Sequence, residues 1–130
     1  MSDSERRQRG AEMMKEVYAG DVAVPPPGMA FVDTMLEQVF AEVWSREELP
    51  IRDRRLIIMG IIAEKGEPVT FGIQAKAALK RGELTPDQLR ETLLMIAQYA
   101  GYPRAAALVG PIEKAIADVA KADASGGPGD

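Results

Sequence analysis

The apolar residues of this chain recur at the spacing of an α-helix along almost its whole length. Between residues 30 and 45, four of them follow one another at i, i+4, i+7 and i+11: Val32, Leu36, Val39 and Val43. This spacing places them on one side of a helix. No convincing stretch alternates apolar and polar residues as a half-buried strand does. The pattern predicts an all-α fold.

Glycine and proline divide this pattern into about six helices. The predicted ranges are 4–19, 30–45, 52–65, 68–81, 86–100 and 103–123. The clearest start is Thr85-Pro86-Asp87-Gln88, which combines a capping Thr with Pro at the first helical position and Gln at the capping-box position. Gly66 is predicted to cap the third helix, and Gly110-Pro111 to kink or break the sixth. We expect one domain over residues 1–123 and a disordered tail over 124–130.

Two further segments shape the expected architecture. Residues 24–28, VPPPG, form a stiff polyproline-like connector that is too short to separate domains, so we expect a strap laid across the surface. Residues 56–63, LIIMGIIA, make the third helix apolar nearly all round. A short helix of this kind belongs in the middle of a core or in a subunit interface. With seven Met and one Trp in 130 residues, this pattern favours self-association.

The chain contains no cysteine and no histidine. Without Cys it has no disulfide, no thiol nucleophile and no redox pair. Without His it lacks the usual proton carrier at neutral pH and the commonest transition-metal ligand. Any metal would have to be a hard cation held by oxygens. We expect neither a metal site nor a cofactor, and no Ser-His-Asp or Cys-His device.

The charge balance is that of an ordinary acidic protein. Sixteen Lys and Arg stand against 20 Asp and Glu, which gives a net charge of −4 and a pI near 5.0. The one basic cluster, Arg6, Arg7 and Arg9, is narrower than a nucleic-acid footprint, and aromatic residues make up only 5%. The longest apolar run is far shorter than the ~20 residues of a membrane helix. We expect a cytoplasmic protein with no nucleic-acid and no membrane partner.

The predicted third to fifth helices carry a more specific pattern than packing requires. Its parts are FGIQAKAALKRG at 71–82, LTPDQLRE at 84–91 and LLMIAQYAGYPRAA at 93–106, with EVWSR at 42–46 and Arg54 upstream. Over about residues 10–118 the chain resembles the carboxymuconolactone decarboxylase family, which has the alkylhydroperoxidase-like all-helical fold. The resemblance implies a helical bundle of that type, an activity of decarboxylase type, and trimers or hexamers with pockets between protomers.

The departures from that family fall on its reactive residues. Glu67-Pro68-Val69-Thr70 occupies the stretch where the peroxidase branch carries a Cys-x-x-Cys pair, and Gln74 stands where both branches carry a His. Met95 replaces a second His of the decarboxylase branch. Peroxidase activity through thiols is excluded, because neither Glu nor Thr forms a thiolate or a disulfide. Decarboxylation would need another proton donor than His.

The candidate site residues come from shared helix faces and from the family elements. The predicted catalytic residues are Glu42, Gln74 and Glu91, and the predicted substrate-binding residues are Trp44, Arg46, Arg54, Glu67, Thr70 and Met95. In this hypothesis an Arg anchors a carboxylate by bidentate hydrogen bonds and a Glu acts as general acid or base. Gln74 would donate a hydrogen bond to a carbonyl or enolate oxygen. Structural roles compete at each position: Glu67 and Glu91, for instance, suit the N-terminal ends of helices in any case.

Functions of different classes stay open at this point. The first is a lyase or proton-transfer enzyme that acts on a small carboxylated or lactone metabolite. The second is a catalytically silent oligomer that binds a small molecule. A helix-turn-helix module over residues 81–101 is disfavoured by the net charge and by its acidic residues Glu83, Asp87 and Glu91. Glu64 is either a solvent-facing charge at a helix end or a buried carboxyl in a pocket.

Overall fold

Six helices and their connections make up residues 3–125, which are the residues that the computed structural model describes. They are α1 (Asp3–Val17), α2 (Ala30–Thr34, continued by the π-helical segment Met35–Trp44), α3 (Ile51–Lys65), α4 (Pro68–Lys80), α5 (Pro86–Ala100) and α6 (Tyr102–Ser125). Residues 3–125 contain no strand, so the predicted all-α fold is confirmed. The chain divides into two compact units, residues 1–54 and residues 55–130.

The ends of α3 and α5 form as the sequence predicts. The Thr85 Oγ1 accepts a hydrogen bond from the backbone N–H of Gln88 at 3.1 Å, and the Gln88 Oε1 accepts one from the Thr85 N–H at 2.9 Å. This capping box satisfies N–H groups that the first turn of α5 leaves without a helical partner. Gly66 ends α3 with a φ of 72°, and its N–H donates to the carbonyl of Ala63 at 3.1 Å. A residue with a Cβ adopts this left-handed conformation only with strain.

The last helix is longer than the sequence predicts. It continues through Pro111 instead of breaking there, and it includes Ala124 and Ser125, which were assigned to the disordered tail. The remainder of that tail, residues 126–130, lies outside the described residues. Proline has no N–H, so the carbonyl of Ala107, four residues earlier, loses its helical donor at this point. Burial of Leu108 and Ile112 on either side of Pro111 favours an uninterrupted helix.

In the first unit, α1 packs against the π-helical segment of α2. The buried apolar side chains between residues 11 and 44 are Ala11, Met14, Val17, Leu36, Phe40, Ala41 and Trp44. Gly10 allows a close approach of the two backbones, because a Cβ at this position would overlap the carbonyl oxygen of Leu36. Val39 and Val43 belong to the predicted apolar stripe, yet they are 42% and 50% exposed. A π-helix has more residues per turn than an α-helix, so Leu36 of the predicted stripe faces inward together with Phe40 and Trp44, while Val39 and Val43 do not.

Arg7 of α1 ties the proline-rich strap to α2. Its Nε donates to the Asp33 Oδ1 at 2.8 Å, and its Nη2 donates to the carbonyl of Pro25 at 2.7 Å. The second oxygen of Asp33 accepts the N–H of Gly28 at 3.1 Å. The hydrogen bond from Arg7, followed by that from Gly28, lowers the pKa of Asp33 below its usual value. The predicted surface strap therefore has a defined anchor.

This anchor predicts an acid-sensitive contribution to stability. Because the pKa of Asp33 is lower in the folded protein, its contribution is present above the unfolded pKa and is lost as the pH falls through the folded value. Asp33→Asn should therefore have a lower free energy of unfolding than the parent at pH 7. At pH 2.5 the difference between variant and parent should be smaller. Urea titrations of both proteins at the two pH values measure this difference. The control Asp123→Asn, at an exposed position of α6, should change neither value, and equal losses for Asp33→Asn at both pH values would contradict the assignment.

In the second unit, α6 packs against both α4 and α5. The core is formed by Met59, Ala63, Phe71, Ala75, Ala78, Leu84, Leu89, Leu108, Ile112 and Ala115. The small alanines of α4 and the absence of a side chain at Gly72 let α6 approach, since a Cβ at Gly72 would lie 3.3 Å from the Pro111 Cβ. The third helix buries only one side: Met59 is 2% exposed, whereas Ile57 and Ile61 are 53% and 48% exposed.

Candidate functional site

A polar depression of about 500 Å³ in the first unit brings together two of the predicted site residues, Glu42 and Arg46. Arg9, Ser45, Glu47 and Glu48 also line it, together with Ala41. Glu42 lies on the last turns of the π-helical segment, and Arg46 follows the end of that segment. Both side chains are exposed, so a ligand in the depression could reach the carboxylate and the guanidinium together.

Two arginines of α1 pair with residues that line the same depression. The Arg6 Nε lies 3.5 Å from the Glu42 Oε1, and the Arg9 Nη2 donates to the Ser45 Oγ at 3.4 Å. The Ser45 hydroxyl in turn donates to the carbonyl of Ala41. A carboxylate ligand in this place would find guanidinium donors in the fork geometry that binds it in a bidentate way.

Arg54 and Trp44, which are also predicted site residues, do not line this depression. The Arg54 Nη2 donates to the carbonyl of Arg46 at 3.1 Å, and its Nε donates to the carbonyl of Leu49 at 3.3 Å. Its guanidinium therefore holds the turn after the π-helical segment. Trp44 is 7% exposed and stacks on Phe40 with a centroid distance of 6.1 Å and an interplanar angle of 8°. The predicted contact of either side chain with substrate stays a prediction.

Gln74 belongs to a buried polar cluster in the second unit. It is 2% exposed, and its Oε1 accepts a hydrogen bond from the Arg55 Nη1 at 2.7 Å. The Arg55 guanidinium, which is fully buried, also donates to both carboxylate oxygens of Glu83, at 2.6 and 3.2 Å. The Arg81 Nε donates to the Glu83 Oε2 at 2.6 Å. The amide oxygen of Gln74 is thus engaged inside the protein, and its predicted catalytic role stays untested.

This cluster links three parts of the second unit: α3 through Arg55, α4 through Gln74, and the α4–α5 turn through Glu83. A buried guanidinium is stable only when its charge is paired and its N–H groups have acceptors. Over residues 3–125 no buried side-chain nitrogen or oxygen lacks a hydrogen-bond partner. Arg55 and Glu83 lie 28 positions apart, so no local pattern in the sequence pairs them.

Removing one member of this cluster should be costly. Glu83→Gln leaves the buried Arg55 charge without its carboxylate and should lower the free energy of unfolding by about 3 kcal/mol. Urea denaturation monitored by circular dichroism measures the loss. Glu64→Gln, at an exposed position of α3, should stay within about 0.5 kcal/mol of the parent.

A double variant separates pairing from packing. Arg55→Met combined with Glu83→Leu removes both charges, so its loss should be smaller than the sum of the two single losses. Additive losses would contradict a direct interaction between the two side chains.

The other predicted residues of the second unit lie on its surface. Glu67 precedes α4 and makes no side-chain capping bond, and Thr70 is exposed one turn later. Glu67 and Thr70 are therefore exposed, whereas Gln74, further along α4, is buried. Glu91 is exposed on α5, as is Met95, which is 64% accessible. Their predicted roles stay predictions.

Met95 lines a shallow depression of about 310 Å³ between α3 and α5. Its other lining residues are Gly60, Glu64, Ile96, Tyr99 and Ala100. Glu64, for which the sequence left two alternatives open, is solvent-exposed at the rim of this depression. The surrounding walls are mostly apolar.

The described residues also bear on membrane and metal binding. Over residues 3–125 no helix is both long and apolar enough to cross a membrane. In the same part of the chain, no group of three or more acidic side chains converges as metal ligands would.

These features define a small all-helical protein with a mixed-charge depression on one unit and a helix-packed core in the other. The sequence profile of the Carboxymuconolactone decarboxylase family matches residues 29–114, and the chain belongs to this family. A protein named 4-carboxymuconolactone decarboxylase, from Acinetobacter baylyi (strain ATCC 33305 / BD413 / ADP1), is 27% identical over 126 residues, which cover 92% of each chain. No solved structure matches the chain. The family resemblance seen in the sequence is confirmed.

Proposed function

We propose that the protein is a lyase that decarboxylates a small carboxylated lactone without the help of Cys or His. One observation carries the proposal: Glu42 and Arg46 line one depression, with further guanidinium groups beside them. The name of the Acinetobacter relative supports the choice of substrate class. In this proposal the protein acts in the cytoplasm and needs no cofactor.

The proposed reaction needs three things: an anchored carboxylate, a sink for electrons and a proton for carbon. Arg46, with Arg9 beside it, binds a carboxylate of the substrate. The bond from carbon to the departing carboxylate breaks, CO₂ leaves, and the electron pair passes into the conjugated carbonyl of the lactone. Glu42 then passes a proton from solvent to the carbon that has lost CO₂.

In the same proposal Gln74 supports the fold of α4, because its oxygen accepts a hydrogen bond from Arg55 inside the second unit. No step is assigned to Glu91, Glu67, Thr70 or Met95.

Kinetics with 4-carboxymuconolactone test the proposal. Glu42→Gln should lower kcat about 100-fold or more, because it removes the proton donor. Arg46→Gln should raise KM about tenfold with a smaller effect on kcat, because it removes carboxylate binding. Loss of the lactone and release of CO₂ are measured together.

Two variants outside the depression serve as controls. Glu37 lies on the same π-helical segment and Arg52 at the start of α3. Glu37→Gln and Arg52→Gln should both retain the kcat and KM of the parent within about twofold. An unchanged kcat in Glu42→Gln would overturn the assigned proton donor.

A catalytically silent binding protein is the second candidate. It is favoured by Gln74, since the position that carries a His in the family is occupied here by an amide that pairs with Arg55. Calorimetry distinguishes the two: lactone that binds to the parent protein without CO₂ release, and binds less well to Arg46→Gln, would support this candidate.

We also propose that the protein self-associates through the apolar faces of α3 and α5. Large side chains stand exposed there: Ile57, Ile61, Leu94, Met95 and Tyr99. Singly exposed apolar residues are ordinary, but a cluster of this size on two helices of one unit is typical of an interface.

Light scattering tests the self-association. The parent should have the mass of a trimer or hexamer, and Ile61→Glu should shift the mass towards a monomer because a charge in an apolar interface loses its hydration. Ala117→Glu, at an exposed position of α6, should leave the mass unchanged. A monomeric parent would contradict the proposal.

A further inference from the structure

A cavity of about 520 Å³ lies between α4 and α6 in the second unit. One end has apolar walls, formed by Val69 and Ile73 of α4 and by Pro111 of α6. Val69 is 79% exposed and Ile73 42% exposed, so this wall is open to an incoming ligand. The volume is within the range of small-molecule sites. None of the predicted catalytic or substrate-binding residues lines it.

The cavity is shaped by two features of the helices that enclose it. Gly72 has no side chain, and α6 comes within van der Waals distance of it at Pro111. Gly110, immediately before Pro111, has open space where a Cβ would stand. Larger side chains at these positions would narrow the cavity, so its volume depends on glycines in both helices.

Positive charge is concentrated at the other end. Lys76 of α4 lines the cavity there with Lys114 and Asp118 of α6. The Lys114 Nζ lies 2.6 Å from the Asp118 Oδ2. The hydrogen bond from Lys114 lowers the pKa of Asp118, and the charges of Lys114, Lys76 and Lys121 act in the same direction. Asp118 is therefore neutralised by Lys114, with a surplus of cations around it.

Lys76 is the side chain that this arrangement leaves available. It is half-buried, and within residues 3–125 its ammonium forms neither a hydrogen bond nor an ion pair. A half-buried cation that lacks a close partner attracts an anion more strongly than a fully hydrated one does. A smaller depression of about 250 Å³ shares Lys76 and Asp118 with the cavity and adds one further charge of each sign, Lys80 and Asp123.

We propose that this cavity binds an amphipathic monocarboxylate, with its apolar chain against Val69, Ile73 and Pro111 and its carboxylate on Lys76. Charge complementarity selects an anion, and the apolar wall at the opposite end selects an aliphatic chain over a compact polar anion such as phosphate. The site uses no residue of the Glu42–Arg46 depression, so the proposal does not depend on the proposed function.

Calorimetric titration of the whole chain with octanoate tests the proposal, with butanoate, hexanoate and octan-1-ol for comparison. Affinity should rise about two- to fourfold for each CH₂ added, because each methylene removes apolar surface from water. Octanoate should bind more tightly than octan-1-ol. Amide shifts in ¹⁵N-labelled protein should be largest around Gly72, Ile73 and Gly110.

Three variants complete the experiment. Lys76→Met keeps the apolar stem and should weaken octanoate binding roughly five- to tenfold, while octan-1-ol binding stays the same. Val69→Glu should weaken the binding of both ligands. Because Val69 is exposed, this variant should keep its fold, and circular dichroism checks that it does. The control Lys65→Met, in the last turn of α3, should bind octanoate like the parent.

Several outcomes would overturn the proposal. Equal binding of octanoate by Lys76→Met and the parent would show that Lys76 does not bind the carboxylate. Amide shifts elsewhere in the chain would show that octanoate does not bind in this cavity. If octanoate did not bind and Val69→Glu lowered the mass seen by light scattering, the groove would be covered by a second copy of the chain instead of a small molecule.

Discussion

The ion pair between Arg55 and Glu83 determines how the helices of the second unit meet. Arg55 lies in the first turns of α3 and Glu83 in the turn after α4, and the two charged side chains are buried against each other. A guanidinium in this position needs a carboxylate in bidentate geometry and a further acceptor, which Gln74 supplies. Helix α4, which also forms one wall of the apolar cavity, is thereby held to α3 at Gln74.

Close packing of small residues is the second constraint on this fold. Gly10 lets α1 approach the backbone of α2, and Gly72 lets α4 approach α6 at Pro111. Such contacts bring backbones together where larger side chains would hold them apart. They also leave space beside them, and the cavity between α4 and α6 is lined by this part of α4.

The two units offer ligands different chemistry. The depression of the first unit is polar, with arginines and glutamates on its walls, and suits a reaction in which charge moves. The cavity of the second unit is mostly apolar with lysines at one end, and suits the binding of a ligand without its conversion. Only the first is lined by predicted catalytic or substrate-binding residues, namely Glu42 and Arg46. Because the depression and the cavity share no lining residue, one small chain can carry both a proposed reaction and a proposed binding site.

The sequence by itself determined the all-α fold class, most helix ends and the family. The spacing of apolar residues, the capping residues and the family motifs are all signals carried by residues close together in the chain. Thr85 and Gly66 cap their helices through partners within three residues, so no distant contact was needed. Tertiary structure alone decided the rest. It paired Arg55 with Glu83 across 28 positions, buried Gln74, turned Val39 and Val43 outward in a π-helical segment, and carried α6 through Pro111. In each case the deciding free energy comes from burial against residues distant in sequence, which no local pattern records.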